Sequence, residues 1–114
     1  MRFSLLLCSS LLVVGCTKSA PTAPAQPEDP KAALIARGRS VYQTNCTACH
    51  APDPTKPGAL GPEIAHSSQE LVEARVLRVE YPKDYKPKRT SHLMTALPQL
   101  KDDIPALTAY LNSL

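Results

Sequence analysis

Hydrophobic residues recur at helical spacing in three separate segments of the chain. The first segment covers residues 31–45, contains no proline and ends directly before Cys46. One side of the helix that this segment predicts is formed by Leu34, Gly38, Val41, Tyr42 and Asn45. We therefore expect residues 31–45 to form the first helix of a folded domain.

The other two segments lie in the second half of the chain. A capping-box pattern over residues 67–70 predicts the start of a helix that covers about residues 68–80. Its apolar side is formed by Val72, Val76 and Val79, with Leu71 and Leu77 beside them. In the third segment, Asp102 or Asp103 is expected to cap a helix whose first turn tolerates Pro105. The inner side of this last helix is formed by Ile104, Leu107, Leu111 and Leu114, with Tyr110 alongside.

Prolines interrupt the stretches between the predicted helices. Prolines stand at positions 52, 54, 57 and 62 of the first stretch and at 82, 87 and 98 of the second, so both are predicted to be loops. The second loop contains two tyrosines and a basic cluster, namely Tyr81, Tyr85, Lys83, Lys86, Lys88 and Arg89. Nowhere do apolar and polar residues alternate as they would in a strand. The sequence therefore predicts an all-α domain.

The amino-terminal residues have the pattern of an export signal. Arg2 precedes an apolar stretch, residues 3–14, that is too short to span a bilayer. The stretch ends in VVGC at residues 13–16, which resembles the bacterial lipobox, where the bond before the cysteine is cut and the cysteine is acylated. We expect a lipoprotein signal peptide over residues 1–15 and a lipid anchor at Cys16. The alternative is an ordinary signal peptide in which Cys16 is incidental.

A linker separates this anchor from the predicted domain. Residues 17–30 carry prolines at positions 21, 24, 27 and 30 and almost no apolar residue beyond alanine, so they cannot build a core. The three-residue spacing of the prolines matches polyproline II and predicts a semi-rigid stalk. The expected organisation is a signal peptide (1–15), a lipidated cysteine with its linker (16–30) and one domain (31–114). The exported, lipid-anchored protein is expected on a membrane facing the periplasm or on the cell surface. Thr17 is not aspartate, which by resemblance to lipoprotein sorting favours the outer membrane.

Residues 46–50, CTACH, form a C-x-x-C-H sequence. Two thiols at this spacing, in a turn at the end of a helix, can each form a thioether with one vinyl group of a haem, and the next residue then brings an imidazole under the iron. Cys46 and Cys49 are therefore predicted to attach one haem c covalently. His50 is predicted to bind its iron.

Three other interpretations of the motif remain open. A zinc site would need four ligands, and adjacent residues such as Cys49 and His50 bind one tetrahedral ion awkwardly. A thioredoxin-like redox pair would need a βαβ context, which the pattern lacks. A structural disulfide between Cys46 and Cys49 would leave His50 unexplained.

Composition and charge limit the function further. The domain contains no Trp and no Phe, since Phe3 lies in the signal segment, and its aromatic residues are the four Tyr. Domains this small often need a covalent or metal-based stabilising element, and a covalently bound haem would supply the apolar volume that the core lacks. Removal of Arg2 leaves 12 basic residues against 10 acidic ones, so no strong charge points to nucleic acid as a partner.

Met94 is the predicted second iron ligand. Of the two methionines, Met1 is lost with the signal, so Met94 offers the one thioether of the mature chain. It lies in a segment bounded by helix breakers before the last helix, where an extended chain could cross a haem face. Other possibilities are a packing role for Met94, ligation by His92 or by the more remote His66, and an open sixth position.

Taken together, these residues resemble the class I cytochrome c family, in its small single-haem bacterial form, over about residues 31–114. The motifs that carry the resemblance are Gly38 and Tyr42 before the C-x-x-C-H sequence, Leu60-Gly61-Pro62 after it, and Leu107 and Tyr110 in the last helix. The resemblance implies an all-α fold of three to four helices around one covalent haem. It also implies that the first and last helices cross at Gly38. In the family's corresponding loop a proline carbonyl accepts a hydrogen bond from the haem-ligating imidazole, so Pro62 would orient His50.

The expected function is single-electron transfer between redox protein partners by a membrane-tethered protein. No motif indicates an enzyme, because no nucleophile with a base, phosphate-binding loop or pair of carboxylates at a useful spacing is recognisable. The basic cluster of the second loop could steer an acidic partner, neutralise haem propionates or be simply solvated. Two alternatives stay open: a haem-based ligand sensor or small catalytic haem protein with an open sixth site, and a tethered subunit of a larger oxidoreductase.

Overall fold

The computed structural model describes residues 29–114, and every regular element in that range is helical. In chain order the elements are α1 (Pro30–Asn45), α2 (Gln69–Glu73), a π-helical turn (Ala74–Arg78), a 3₁₀ helix (Pro98–Asp103) and α3 (Ile104–Leu111). The predicted all-α fold class is confirmed. The predicted signal peptide, Cys16 and the linker up to residue 28 lie outside the described residues.

Helix α1 begins one residue earlier than predicted. The Asp29 carboxylate accepts a hydrogen bond from the backbone N–H of Lys31 at 3.0 Å, and Pro30 occupies the first turn, where its missing N–H costs nothing. The side of α1 that packs on the core is also shifted from the predicted one. Ile35 packs against the core, whereas Leu34 is 38% exposed and Asn45 is exposed. The covered side therefore runs along Ile35, Gly38, Tyr42 and Cys46.

Helices α1 and α3 cross in close contact at Gly38. A Cβ atom on Gly38 would overlap the carbonyl oxygen of Ala106 and lie 2.8 Å from Cβ of Tyr110. Beside this crossing, the rings of Tyr42 and Tyr110 pack with their centroids 5.6 Å apart. Tyr42 is fully buried and its hydroxyl donates a hydrogen bond to the Ala51 carbonyl at 2.5 Å. The crossing therefore fixes the end of α1, from which Cys46 follows.

Gly38→Ala is expected to lower the free energy of unfolding of the haem-loaded protein by roughly 2 kcal/mol. Overpacking costs about 1–3 kcal/mol, and contact with a backbone carbonyl puts this site at the upper end. The better helix propensity of alanine returns about 1 kcal/mol. Denaturant unfolding measures the difference, with Ser40→Ala on the exposed side of α1 as the control. Equal stability of the two variants would contradict the close crossing.

Helix α2 is capped differently from the predicted capping box. Ser68 is the N-cap, and its hydroxyl accepts a hydrogen bond from the N–H of Leu71 at 3.2 Å. The hydroxyl of Ser67 instead donates to the Ile64 carbonyl at 2.7 Å, so the predicted pairing of Ser67 with Glu70 is wrong. After Glu73 the helix widens into the π-helical turn and ends at Val79, which has left-handed backbone angles (φ 60°, ψ 26°).

The start and end of α3 also correct the sequence prediction. Asp103 occupies the N-cap position, but its carboxylate accepts a hydrogen bond from Nε of Arg37 at 2.7 Å and makes no capping bond. The 3₁₀ helix leads directly into α3, and the N–H of Ile104 donates to the Lys101 carbonyl, which replaces a side-chain cap. Leu114 was predicted on the inner side but lies beyond the end of α3 and is 40% exposed.

One small apolar core holds these elements together. Its large buried members are Tyr42, Val72, Val76, Leu100, Ile104, Leu107, Tyr110 and Leu111. Met94, Leu97 and Cys46 pack against it while remaining partly exposed. Among residues 29–114, no helix has the length and apolar character needed to cross a bilayer.

Candidate haem-binding site

The C-x-x-C-H motif forms a tight turn that continues α1. The N–H of Cys46 donates to the Tyr42 carbonyl at 2.9 Å, as in a helix. The N–H groups of Cys49 and His50 then both donate to the Cys46 carbonyl, at 3.2 and 2.9 Å. All three side chains are partly buried, and both cysteines are free thiols. The backbone of α1 therefore presents two thiols and an imidazole from one rigid turn.

The side chains of this turn do not make up a zinc site. Burial, with a further contribution from neighbouring Cys49, raises the pKa of Cys46 to about 11 in the metal-free protein. Among residues 29–114, no three His, Cys, Asp or Glu side chains lie close enough together to hold a metal ion.

The ring of His50 is held by the backbone of the following loop. Its Nδ1 lies 2.8 Å from the carbonyl oxygen of Pro62. A carbonyl can only accept a hydrogen bond, so Nδ1 is the donor of this bond and Nε2 is the ring nitrogen left for a metal. A hydrogen bond of this kind fixes the tautomer and orientation of a metal-binding imidazole.

Gly61 allows this loop to approach the imidazole closely. A Cβ atom on Gly61 would lie 2.5 Å from Cε1 and 2.6 Å from Nδ1 of His50. The N–H groups of Leu60 and Gly61 both donate to the Cys49 carbonyl, at 3.2 and 2.9 Å. The sequence identified the Leu60-Gly61-Pro62 motif, but this requirement for glycine depends on contacts between residues distant in sequence.

Beside the turn lies a largely apolar cavity of about 300 Å³. One side of its lining comes from the motif and the loop after it: Cys46, Cys49, His50, Leu60, Gly61 and Pro62. The remainder includes apolar side chains from α2, the π-helical turn, α3 and the last loop: Leu71, Val72, Val76, Leu93, Met94, Leu97, Leu107 and Leu111. This size and this lining are those of a small-molecule binding site.

Met94 and the two other candidate ligands differ in their relation to the cavity. Met94 is partly buried and lines it, whereas His92 and His66 are exposed and are not among its lining residues. His66 has left-handed backbone (φ 59°), and its N–H donates to the Leu111 carbonyl at 2.9 Å. The cavity therefore brings the thioether of Met94, and neither of these imidazoles, together with His50.

The basic loop contributes two of its four cationic residues to the cavity. Lys88 pairs with the Glu63 carboxylate at 3.0 Å, and this hydrogen bond lowers the pKa of Glu63 below its ordinary value. Arg89 donates to the Gly58 carbonyl at 3.3 Å. Lys83 and Lys86 are exposed. Lys88 and Arg89 thus connect the second loop, which contains the basic cluster, to the loop that follows His50.

Sequence reasoning missed Arg75, which also lines the cavity. Its Nη2 lies 3.8 Å from Sδ of Met94. Its position in the sequence could have indicated this role. Arg75 lies four residues after Leu71 and three after Val72, so it interrupts the apolar side of the predicted second helix. A charged residue on such a side points either to a solvated edge or to a site.

Two thiols and an imidazole on one turn, a thioether and apolar walls are the groups expected in a protein that binds haem covalently. The family model for cytochrome c matches residues 35–114. Since this match covers more than half of the chain, the protein belongs to the cytochrome c family and is a class I c-type cytochrome. Comparison with curated proteins and with solved structures gives no match.

Membership of the family establishes the general function. The chain is a haem c electron-transfer protein, and its redox partners are proteins. Cytochrome c domains typically carry electrons without transforming a substrate, and they indicate an exported protein. The haem c assignment supersedes the zinc, dithiol and disulfide interpretations of the Cys46 to His50 motif.

Proposed function

We propose that this protein is a membrane-tethered carrier of single electrons that holds one haem through thioethers at Cys46 and Cys49. His50 and Met94 bind the iron in this proposal, and Pro62 orients His50. The main supporting observation is that the motif and Met94 line one apolar cavity, which includes none of the other histidines of residues 29–114. Bound haem c supplies an iron that changes between the ferrous and ferric states by one electron.

The protein's own residues have distinct tasks in this proposal. The Pro62 carbonyl accepts a hydrogen bond from Nδ1 of His50 and thereby orients the ring, with Nε2 as the nitrogen for the metal. The thioether of Met94 is a soft ligand that raises the reduction potential and occupies the position where small molecules would bind. The apolar side chains of the lining lower the local dielectric constant, so charges near the iron act on it more strongly than they would in water.

A redox titration with a carbon monoxide challenge tests the electron-carrier function. The haem-loaded wild-type protein is expected to titrate as a single one-electron couple, and its ferrous form is expected to leave carbon monoxide unbound. The single couple follows from one haem, and the lack of carbon monoxide binding follows from an iron with two protein ligands. Stoichiometric carbon monoxide binding by the wild type would instead support the sensor or catalytic alternative.

The tether is proposed from the sequence, with Cys16 as the acylated residue. In a bacterial host the wild-type protein is expected in the membrane fraction, since two or three acyl chains anchor a protein stably. Cys16→Ser is expected to incorporate no labelled fatty acid, because its acylation site is gone. Cys8→Ser, which alters a cysteine within the predicted signal, is the matched control and is expected to be labelled like the wild type. Labelling of Cys16→Ser to the wild-type level would contradict the lipid anchor at this residue.

A further inference from the structure

The π-helical turn (Ala74–Arg78) ends in an unusual backbone conformation that Arg75 holds in place. Val79 is β-branched, and such residues rarely adopt left-handed angles. Its carbonyl accepts a hydrogen bond from Nη1 of Arg75 at 2.6 Å, and its N–H donates to the Arg75 carbonyl at 3.1 Å. Turns of π-helix are frequent at functional sites. This one directs the Arg75 guanidinium toward the cavity.

The same guanidinium contacts the thioether of Met94. Nη2 of Arg75 lies 3.8 Å from Sδ, and the planar group stacks over the Tyr81 ring at 4.1 Å from its centroid. A second link lies three residues beyond Met94, where the N–H of Leu97 donates to the Val76 carbonyl at 2.7 Å. The π-helical turn therefore holds the methionine segment at two points, one on the backbone and one on the sulfur.

A hydrogen bond to a thioether has a defined effect on its ligand properties. The sulfur has two lone pairs, so one can bind a metal while the other accepts a weak hydrogen bond. A guanidinium is always charged and donates in a fixed planar geometry. Its hydrogen bond draws electron density from the sulfur, and its charge disfavours the more positive, ferric state of the site.

We propose that Arg75 is a positioning residue for Met94: it selects which sulfur lone pair faces the cavity and raises the reduction potential of the site. The inference rests on the proposed ligation by Met94. Arg75 does not touch the iron in this role. It acts through the sulfur, and Val79 and Tyr81 fix the direction of its donors.

The test compares Arg75→Leu with Arg78→Leu in the haem-loaded protein by spectroelectrochemical titration. Arg78 lies in the same turn but is exposed, pairs with Glu73 and Glu80, and is not part of the cavity lining. In Arg75→Leu the equilibrium constant for reduction is expected to fall roughly tenfold, which is about 59 mV for one electron. In Arg78→Leu it is expected to change less than about twofold, because surface charges are screened.

Two further variants separate positioning from a purely structural role. Tyr81→Leu removes the ring that fixes the direction of the guanidinium, so it is expected to lower the potential in the same direction as Arg75→Leu but by a smaller amount. Arg75→Lys keeps the charge but cannot reach Val79 and Met94 together, so we expect an intermediate potential.

Proton NMR of the ferric protein, which distinguishes the two sulfur configurations, is expected to show one configuration in the wild type and a mixture in Arg75→Leu. If Arg75→Leu does not bind haem, the potential and the sulfur configuration of Arg75→Lys are compared with those of Arg78→Leu instead.

The possible failures can be told apart. Equal potentials and a single sulfur configuration in the Arg75 variants and in Arg78→Leu would overturn the positioning role alone, provided that Met94→Ala changes the spectrum. If Met94→Ala has the wild-type spectrum, Met94 is not a ligand. In that case both the proposed ligation and the role of Arg75 are wrong.

Discussion

Replacing both Cys46 and Cys49 with alanine is expected to yield a chain without covalent haem and without a cooperative unfolding transition. The two thiols of the C-x-x-C-H motif each form one of the predicted thioethers, so the double variant can form neither. The measurement is haem absorbance that stays with the protein after denaturation, together with circular dichroism of the purified chain. Haem retained covalently by the double variant would show that the attachment site lies elsewhere.

The expected unfolding follows from the way the core is built. The buried side chains surround a cavity of about 300 Å³, and neither Trp nor Phe is present among residues 29–114 to fill it. Leu60 and Leu93 line this cavity and are 44% and 61% exposed, respectively. A core in so small a chain rarely supplies more than about 3–5 kcal/mol. Losing the group that fills the cavity is therefore expected to remove most of the stability.

Single variants provide the matched controls. Cys46→Ala and Cys49→Ala each keep one thiol on the same turn, together with His50. Each is expected to hold haem through one thioether, at lower yield, and to unfold cooperatively at a lower temperature than the wild type. A single variant as unfolded as the double one would mean that the turn itself, rather than the bound group, limits folding.

The parts of this fold that local patterns determine were predictable. The absence of proline over residues 31–45 predicted α1 to within one residue, and the C-x-x-C-H sequence located the haem-binding turn at its end. The apolar spacing of Ile104, Leu107 and Leu111 likewise predicted the inner side of α3. In each case the residues that specify the structure are neighbours along the chain.

The parts that depend on the side-chain contacts of arginines were not predictable. Asp103 is a good N-cap residue, yet Arg37 binds its carboxylate from 66 positions away. The left-handed Val79 is held by Arg75, which lies only four residues earlier, against the ordinary preference of a β-branched residue. In both cases a guanidinium binds an oxygen acceptor that no pattern of apolar and polar residues indicates. The contact between Arg75 and Met94 is of the same kind.

Met94→Ala is expected to convert the ferric protein from a low-spin to a high-spin spectrum and to open its ferrous form to carbon monoxide. Loss of the thioether leaves one protein ligand, His50, so the position that Met94 is proposed to occupy becomes available. The charge-transfer band from methionine sulfur to ferric iron, near the red edge of the visible spectrum, is expected to disappear. The equilibrium constant for reduction should fall at least a hundredfold, about 120 mV for one electron, because a thioether favours the ferrous state.

His92→Ala is the matched control, because His92 lies two residues from Met94 on the same loop but is exposed and outside the cavity lining. Its spectrum and potential are expected to match those of the wild type. The reverse pattern would be a changed spectrum in His92→Ala and an unchanged one in Met94→Ala. It would assign the sixth position of the iron to the imidazole of His92, and the loop would then have to shift so that His92 enters the cavity in place of Met94. Met94 is partly buried and packs at the edge of the core, so its truncation removes few core contacts. A spectral change in Met94→Ala that leaves the unfolding transition largely intact therefore reports coordination rather than loss of structure.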